Sequence, residues 1–321
     1  MKNSILLSLS KIFTVCLLCV LAVGCWPSYP PPHNHRMHTT ISADGKMVAA
    51  LLRAGTDEQI LAVKTIQPDS NWIKLDAPQY TQTIQFASQG HDLLLTHKNI
   101  TSHTDILMRW NLDTPNVPPK KIYEAHALAF PTEINPGQIL LRSGRPFIGD
   151  KTRTHTQWVL LDNENNETPI QGATDAYGPP NIVGTGFFWV ISKIGRNEDG
   201  HPKILSYPLP GGVAPIIPRE RLDNLTTHLT CDKAGTRCLR DHVLSPKGNY
   251  VYDVDVLYET QQCKINNVIG YPDRVSISPD GLTAVTSIAP ASDEPRRIVV
   301  IRFDPMKCES KLVQYFNFIK E

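Results

Sequence analysis

A turn followed by an apolar strand recurs along this chain, and it constrains the fold more than any other feature. Ser42-Ala43-Asp44-Gly45 leads into the apolar run 47–52, and Ser278-Pro279-Asp280-Gly281 leads into a similar run near the other end. Glycine tolerates the positive φ of a tight turn, and a run of five to seven apolar residues suits a buried strand. The turn glycines follow one another at intervals of 45, 47, 49, 49 and 46 residues: Gly45, Gly90, Gly137, Gly186, Gly235 and Gly281.

A repeat of about 47 residues that holds several short strands has the size of one β-propeller blade. Further strand-like runs fall between the turns, at residues 60–63, 106–110, 158–161, 204–207 and 298–301. The 26 prolines are spread along the chain, which argues against long helices. The sequence therefore predicts an all-β fold with a single β-propeller over residues 38–321, six blades being favoured.

One further copy of the turn disturbs this count. Leu244-Ser245-Pro246-Lys247-Gly248 ends only 33 residues before Gly281. It is either an inner hairpin of the fifth blade or a sign of seven irregular blades.

The N-terminal residues 1–24 have the pattern of an export signal. They contain Lys2 and Lys11, no acidic residue and a 13-residue apolar run, which is too short to span a bilayer. The run ends in Leu21-Ala22-Val23-Gly24-Cys25, which resembles the bacterial lipobox. The resemblance implies a lipoprotein signal peptide over residues 1–24 and acyl chains, including palmitate, on Cys25; cleavage of an ordinary secretory signal is the alternative. Because Trp26 rather than Asp follows the cysteine, the resemblance further implies the outer membrane, on its periplasmic or its surface side.

Residues 25–37 read as a tether between this anchor and the propeller. Pro30-Pro31-Pro32 favours an extended polyproline II conformation. His33, His35 and His38 lie in or beside the tether, where they could bind a divalent metal ion or simply form a polar linker. We predict the polar linker, and we predict no cofactor.

The turn sequences at residues 41–45, 244–248 and 277–281 resemble the Ser-Pro-Asp-Gly phrase of TolB-type, WD40-like bacterial propeller repeats. In that family the phrase forms the turn between two strands. The resemblance implies surfaces that bind other envelope proteins rather than catalysis. The His-Gly and Trp-Asp pairs of true WD40 blades do not recur, so the hydrogen-bond network of those blades is not expected.

Four cysteines follow Cys25, and an even number in an exported protein favours disulfides. Cys231 and Cys238 flank a hairpin-like turn, so a local bridge is the natural pairing, and it leaves Cys263 with Cys308. All three connectivities remain open, and zinc binding is the competing hypothesis, although the sequence has no Cys-x-x-Cys.

Charge and motifs narrow the function. The formal net charge is +1, and without residues 1–24 it is −1, so we predict no nucleic-acid partner. Asp253 and Asp255 alternate with valines, which places both carboxylates on one face of a strand. With His242 they could form an acid–base or metal site at the mouth of the propeller channel; a solvated sheet face is the more ordinary interpretation.

These observations predict an envelope-anchored lipoprotein whose propeller acts as a non-enzymatic scaffold for other, unidentified envelope proteins. The first alternative is a propeller enzyme, a sugar- or lactone-acting hydrolase or lyase that uses the channel-mouth carboxylates. The second alternative is a carbohydrate- or peptidoglycan-binding module.

Overall fold

Turn glycines and apolar strands produce an all-β architecture in the computed structural model of the protein. The structure describes residues 36–54, 58–67, 69–147, 150–173, 176–183, 187–196, 202–210, 229–231, 237–241, 250–256, 259–265, 271–272, 275–289, 297–303 and 310–317. These residues form strands and turns, with no helix among them, and they belong to one unit, His35–Glu321. Within this described part, no helix is long and apolar enough to cross a membrane.

The predicted signal peptide, Cys25 and most of the tether, with His33 and His35, lie outside the described residues. The lipid anchor and the histidine cluster therefore stay predictions.

The strands pair into antiparallel sheets that follow one another along the chain. Sheet 1 contains β1 (Arg36–Ile41), β2 (Met47–Ala54), β3 (Glu58–Thr65) and β4 (Ile73–Leu75). Sheet 2 contains β5 (Thr81–Phe86), β6 (Asp92–Asn99), β7 (Thr104–Asn111) and β8 (Lys120–Ala125). Sheet 3 contains β9 (Ala127–Asn135), β10 (Gln138–Phe147), β11 (Asp150–Leu161) and β12 (Glu167–Pro169).

The second half of the chain continues the pattern. Sheet 4 contains β13 (Ala176–Val183), β14 (Phe187–Arg196) and β15 (Pro202–Pro208). Sheet 5 contains β16 (Leu229–Cys231), β17 (Arg237–Asp241), β18 (Tyr250–Val256) and β19 (Glu259–Ile265). Sheet 6 contains β20 (Tyr271–Pro272), β21 (Ser276–Ile277), β22 (Thr283–Ala289), β23 (Arg297–Phe303) and β24 (Ser310–Asn317).

The sheets form a ring through contacts between their first strands, except that sheet 6 takes part through β21 and β22. β1 contacts β5, β5 contacts β9, β9 contacts β13, and β13 contacts β16; β16 contacts β21, and β21 and β22 contact β1. Each sheet is built from consecutive strands, so among the described strands none from one end of the chain joins the sheet at the other end. The predicted all-β propeller is confirmed. The described strands form six sheets, and the number of blades stays a prediction.

The extra turn copy at residues 244–248 lies outside the described residues, but the strand that follows it in the sequence belongs to sheet 5. Strand β18, which follows it in the sequence, is the third strand of that sheet and pairs with β17 and β19. The strand after the copy is therefore part of sheet 5, and the choice between an inner hairpin and a seventh blade stays open.

The apolar runs are continuous because both faces of the middle strands are buried. In β2, Val48 and Ala50 pack in a core with Val285 and Ile298 of sheet 6. The alternate residue Leu51, on the opposite face, packs in a core with residues of sheet 2 such as Leu93 and Trp110. Side chains of a strand alternate between its faces, so one strand supplies the hydrophobic core on two sides.

The same alternation continues around the ring. Leu94 of β6 and Ile139 of β10 pack in the core between sheets 2 and 3. Leu140 of β10 packs in the next core, between sheets 3 and 4, with Trp158 and Phe188. We call each of these contact zones between neighbouring sheets a seam.

Candidate functional site

The repeated turns are built by a serine, an acid and a glycine. Ser42 Oγ donates to Asp44 Oδ1 at 2.7 Å and accepts the N–H of Met47 at 2.8 Å, and the Gly45 N–H donates to the Ser42 carbonyl. Gly45 has φ +68°, a left-handed conformation that costs glycine little. The motif residues are thus occupied in making the turn.

The last repeat reproduces this arrangement. Ser278 Oγ donates to Asp280 Oδ1 at 2.5 Å and accepts the N–H of Thr283 at 3.0 Å. The φ of Gly281 is +69°, and those of Gly90 and Gly137 are also positive, so the predicted turns are confirmed at these positions. Gly186 and Gly235 lie outside the described residues.

A buried carboxylate, Glu133 of β9, joins sheet 2 to sheet 3. Its Oε2 accepts the backbone N–H and the hydroxyl of Ser88, at 2.8 and 2.9 Å, and its Oε1 accepts the N–H of Gly137 at 2.9 Å. The guanidinium of Arg109, on β7, also donates to Oε1 and donates to Asp92 Oδ2 at 3.1 Å. Burial alone would raise the pKa of Glu133, but these donors outweigh it and hold the pKa below its ordinary value.

Directly beside this ion-pair network, a cleft of about 420 Å³ opens between sheets 2 and 3. Arg109 and Asp92 line one side of it. Another side is lined by Val117, from the segment before β8, and by Lys120 and Ile122 of β8 itself. Turns of sheet 3 supply Gly137, Asp162, Asn163 and Asn165.

The cleft offers three kinds of contact. Val117 is 58% exposed and provides an apolar surface. Lys120 and the side chains of Asp162 and Asn165 provide charged and polar groups. Because Arg109 is already engaged by two carboxylates, its part in the cleft is to shape the wall.

Strand β8 forms the outer edge of sheet 2 and bonds only to β7 among the described strands. Its residues Lys120, Lys121 and Ile122 line the cleft. An exposed strand edge carries backbone N–H and C=O groups that can pair with an added extended segment. The cleft therefore suits the binding of a polypeptide segment.

The carboxylates proposed from the sequence for an enzyme site lie on β18, the third strand of sheet 5. Asp253 is opposite Arg240 and Gln262, and Asp255 is opposite Cys238 and Thr260. Their side chains, and His242 as a whole, lie outside what the structure describes. The acid–base hypothesis for these residues stays a prediction.

The cysteines are partly placed. Cys231 of β16 lies directly opposite Cys238 of β17 in the antiparallel register. Opposed Cα atoms in such a pair are about 4.5–5.5 Å apart, within the range that a disulfide needs. Cys263 lies on β19 opposite Tyr252, and Cys308 is outside the described residues. Both bridges stay predictions.

His38, the third histidine of the hypothetical metal cluster, lies on β1 opposite Leu51 and is half-buried. Across the described part of the chain, no three His, Cys, Asp or Glu residues gather as metal ligands would. The metal hypothesis depends on two residues beyond that part.

Sequence reasoning missed the Glu133 network and the cleft. Glu133 is 24 residues from Arg109 and 45 from Ser88, and only the packing of two sheets brings the three together. The one available signal was that Glu133 is the only charged residue of β9 and lies four positions before the turn glycine Gly137.

The sequence matches no protein-family model and none of the curated proteins. Among solved structures it is similar to TolB from Acinetobacter baumannii, at 13% identity and a TM-score of 0.54, over 82% of this chain and 63% of that one. It is also similar to the β-propeller domain of the Trilobed protease from Pyrococcus furiosus, at 12% identity and a TM-score of 0.45, over 87% and 84% of the two chains. Prolyl oligopeptidase B from Galerina marginata matches at 10% identity and a TM-score of 0.48, over 88% of this chain and 42% of that one. At 13% identity, the similarity to TolB shows the fold alone.

Proposed function

We propose that this chain is an envelope lipoprotein, anchored through acyl chains on Cys25, whose propeller binds another envelope protein as a non-enzymatic scaffold. The lipobox-like sequence 21–25 and the Ser-Pro-Asp-Gly turns support the location and the class of function. The fold that the chain has in common with TolB is consistent with both.

The cleft between sheets 2 and 3 is the single observation that carries the binding role. It combines an exposed apolar side chain, Val117, with polar walls and the outer edge strand β8. This combination fits an extended segment of a partner protein that adds to the sheet edge and inserts an apolar side chain beside Val117.

The test is site-specific photo-crosslinking in intact cells, followed by gentle solubilisation and affinity capture. The crosslinking residue replaces Val117 in one variant and Ile73 in another. Ile73 is a matched control because it is 51% exposed on an outer strand, β4, yet does not line the cleft. We expect one discrete adduct with an envelope protein from position 117 and none from position 73.

A substitution series completes the test. Val117→Glu should abolish co-purification of the crosslinked partner, whereas Ile73→Glu should leave it intact. Cys25→Ala should move the protein out of the membrane fraction. Capture of the same partner by Val117→Glu would reject the cleft, and a chain that is captured alone from every envelope preparation would reject the scaffold.

A further inference from the structure

The seam between sheets 1 and 2 is crossed by a histidine. His91 follows the turn glycine of the second repeat, and its carbonyl accepts the N–H of Leu112, which holds the backbone in place. Its ring extends towards Asp44 in the turn of the first repeat. A second bond crosses the same seam nearby, where the N–H of Phe86 donates to Thr40 Oγ1 at 3.2 Å.

The imidazole of His91 lies between two carboxylates. Nδ1 is 2.8 Å from Asp113 Oδ1, within sheet 2, and Nε2 is 3.4 Å from Asp44 Oδ2, across the seam. An ionised carboxylate only accepts hydrogen bonds, and a neutral imidazole carries a single N–H. Neutral His91 therefore donates to one of the two acids and turns a lone pair towards the other, whereas the imidazolium donates to both.

We propose that His91 is a pH-dependent clamp, which joins sheet 1 to sheet 2 when its ring is charged and releases the cross-seam contact when its ring is neutral. The contact released is the one to Asp44, because it is the longer of the two. The inference does not depend on the proposed binding function.

The surrounding charges support this assignment. Asp44 is held in place by the Ser42 hydroxyl and the Lys46 N–H, both donating to Oδ1, which leaves Oδ2 directed at the histidine. The Lys46 ammonium is 3.5 Å from the same Oδ2, but it is largely exposed and so competes weakly. Asp92, next to His91 in the chain, is engaged by Arg109.

The pKa of His91 is raised above its ordinary value, as expected for an imidazole between two carboxylates. The hydrogen bond to Asp113 and the charge of Asp44 raise the pKa of His91 against the opposing effect of burial. Burial raises the pKa of Asp44, but the hydrogen bonds from Ser42, Lys46 and His91 lower it by more. The pKa of Asp44 is therefore below its ordinary value. A histidine with a raised pKa stabilises the fold fully below its ordinary value of 6.5, and loses that effect as the pH rises through the raised pKa. Asp44 loses its contribution as the pH falls through its own lowered pKa, below 3.8.

NMR titration of the imidazole resonances tests the charge state. We expect His91 to titrate above 6.5, with Asp113→Asn lowering its pKa strongly and Asp44→Asn lowering it less. Asp76→Asn, which removes an exposed carboxylate elsewhere on sheet 1, should leave it unchanged. His97 provides an internal reference, because burial lowers its pKa below the ordinary 6.5. A wild-type pKa at or below 6.5, or one that neither variant moves, would overturn the proposal.

Hydrogen exchange then tests the clamp itself, with the Phe86 amide as the reporter of the seam. The Ser88 amide, which donates to Glu133 across the next seam, is the matched reference. Protection of Phe86 relative to Ser88 should fall as the pH rises through the measured pKa of His91. In Asp44→Asn the ratio should be low and independent of pH. A wild-type ratio that stays constant, or one that changes equally in the variant, would show that His91 does not control the seam.

Discussion

Gly45 of the first repeat packs directly against Thr283 of the last: a β-carbon added to Gly45 would lie 3.3 Å from Oγ1 of Thr283. The two turns of nearly identical sequence therefore meet where the ring closes. The closure lacks a shared strand among the described residues, so this contact and the apolar core around Val48, Ala50 and Val285 hold sheets 1 and 6 together.

Substitution of Gly45 should measure that closure. Gly45→Ala places a methyl group in a left-handed conformation and presses it against Thr283. Gly90→Ala meets the same backbone cost at φ +63° with no atom within 4 Å. We expect Gly90→Ala to lower the free energy of unfolding by about 1 kcal/mol and Gly45→Ala by about 1 kcal/mol more. Urea denaturation of both variants measures the two losses. Equal losses in the free energy of unfolding would mean that the Thr283 side chain moves away from the added methyl group without cost.

The turn serines should be structurally essential. Ser278 is fully buried, and its hydroxyl both donates to Asp280 and accepts from the Thr283 N–H. Ser278→Ala leaves that N–H without its acceptor, so we expect a loss of about 1–3 kcal/mol in the free energy of unfolding. Ser102→Ala, on an exposed loop, should cost far less. Thermal denaturation compares the two, and a similar small effect for both would contradict the structural role of the motif.

Glu133 should stabilise the seam between sheets 2 and 3 in a pH-dependent way. Glu133→Gln removes the negative charge that faces Arg109 and places an amide NH₂ among donors, so we expect a loss of about 2–4 kcal/mol at pH 7. Because the folded pKa of Glu133 lies below its ordinary 4.5, the stabilisation is present above that value and is lost as the pH falls through the folded pKa.

Chemical denaturation at pH 7 and below pH 4 tests this pH dependence. The difference in the free energy of unfolding between wild type and Glu133→Gln should be smaller at the lower pH. Glu124→Gln is the control: Glu124 is half-buried, but its partner Lys121 is exposed and the pair is screened by solvent, so the loss should be much smaller than that of Glu133→Gln at both pH values. A gap that is constant across the pH range would contradict the assignment.

Trp158 should anchor the seam between sheets 3 and 4 by packing alone. It is fully buried, 5.4 Å from Phe188 and 6.4 Å from Phe130 between ring centroids. Its Nε1 has no hydrogen-bond partner in the described structure, so Trp158→Phe loses no polar contact. We expect about 1–2 kcal/mol for Trp158→Phe and about 3–5 kcal/mol for Trp158→Ala, measured by chemical denaturation. A Trp158→Phe loss as large as that of Trp158→Ala would indicate a polar role instead.

The sequence predicted the features that repeat within a short distance. The turn glycines at 45, 90, 137 and 281 and the apolar runs after them are local patterns, and the structure places each run in the middle of a sheet. The placement of β18, which follows the 244–248 copy in the sequence, needed the strand pairing, because a turn sequence does not reveal to which sheet the next strand belongs.

The polar contacts across seams were beyond such reasoning. His91 is 47 residues from Asp44, and each residue by itself is ordinary for an exposed turn. Only the angle at which one sheet packs on the next determines that their side chains meet. A function carried by such contacts leaves no contiguous signature in one sequence.

Because the described strands of each sheet come from one stretch of chain, duplication or deletion of a single stretch of gene would add or remove a complete sheet. If the last sheet instead contained a strand from the other terminus, duplication or deletion of one stretch would separate that strand from its sheet. Among the described strands, the first and last sheets meet through side-chain packing without a shared strand, so the size of the ring depends on how many repeats fit around it.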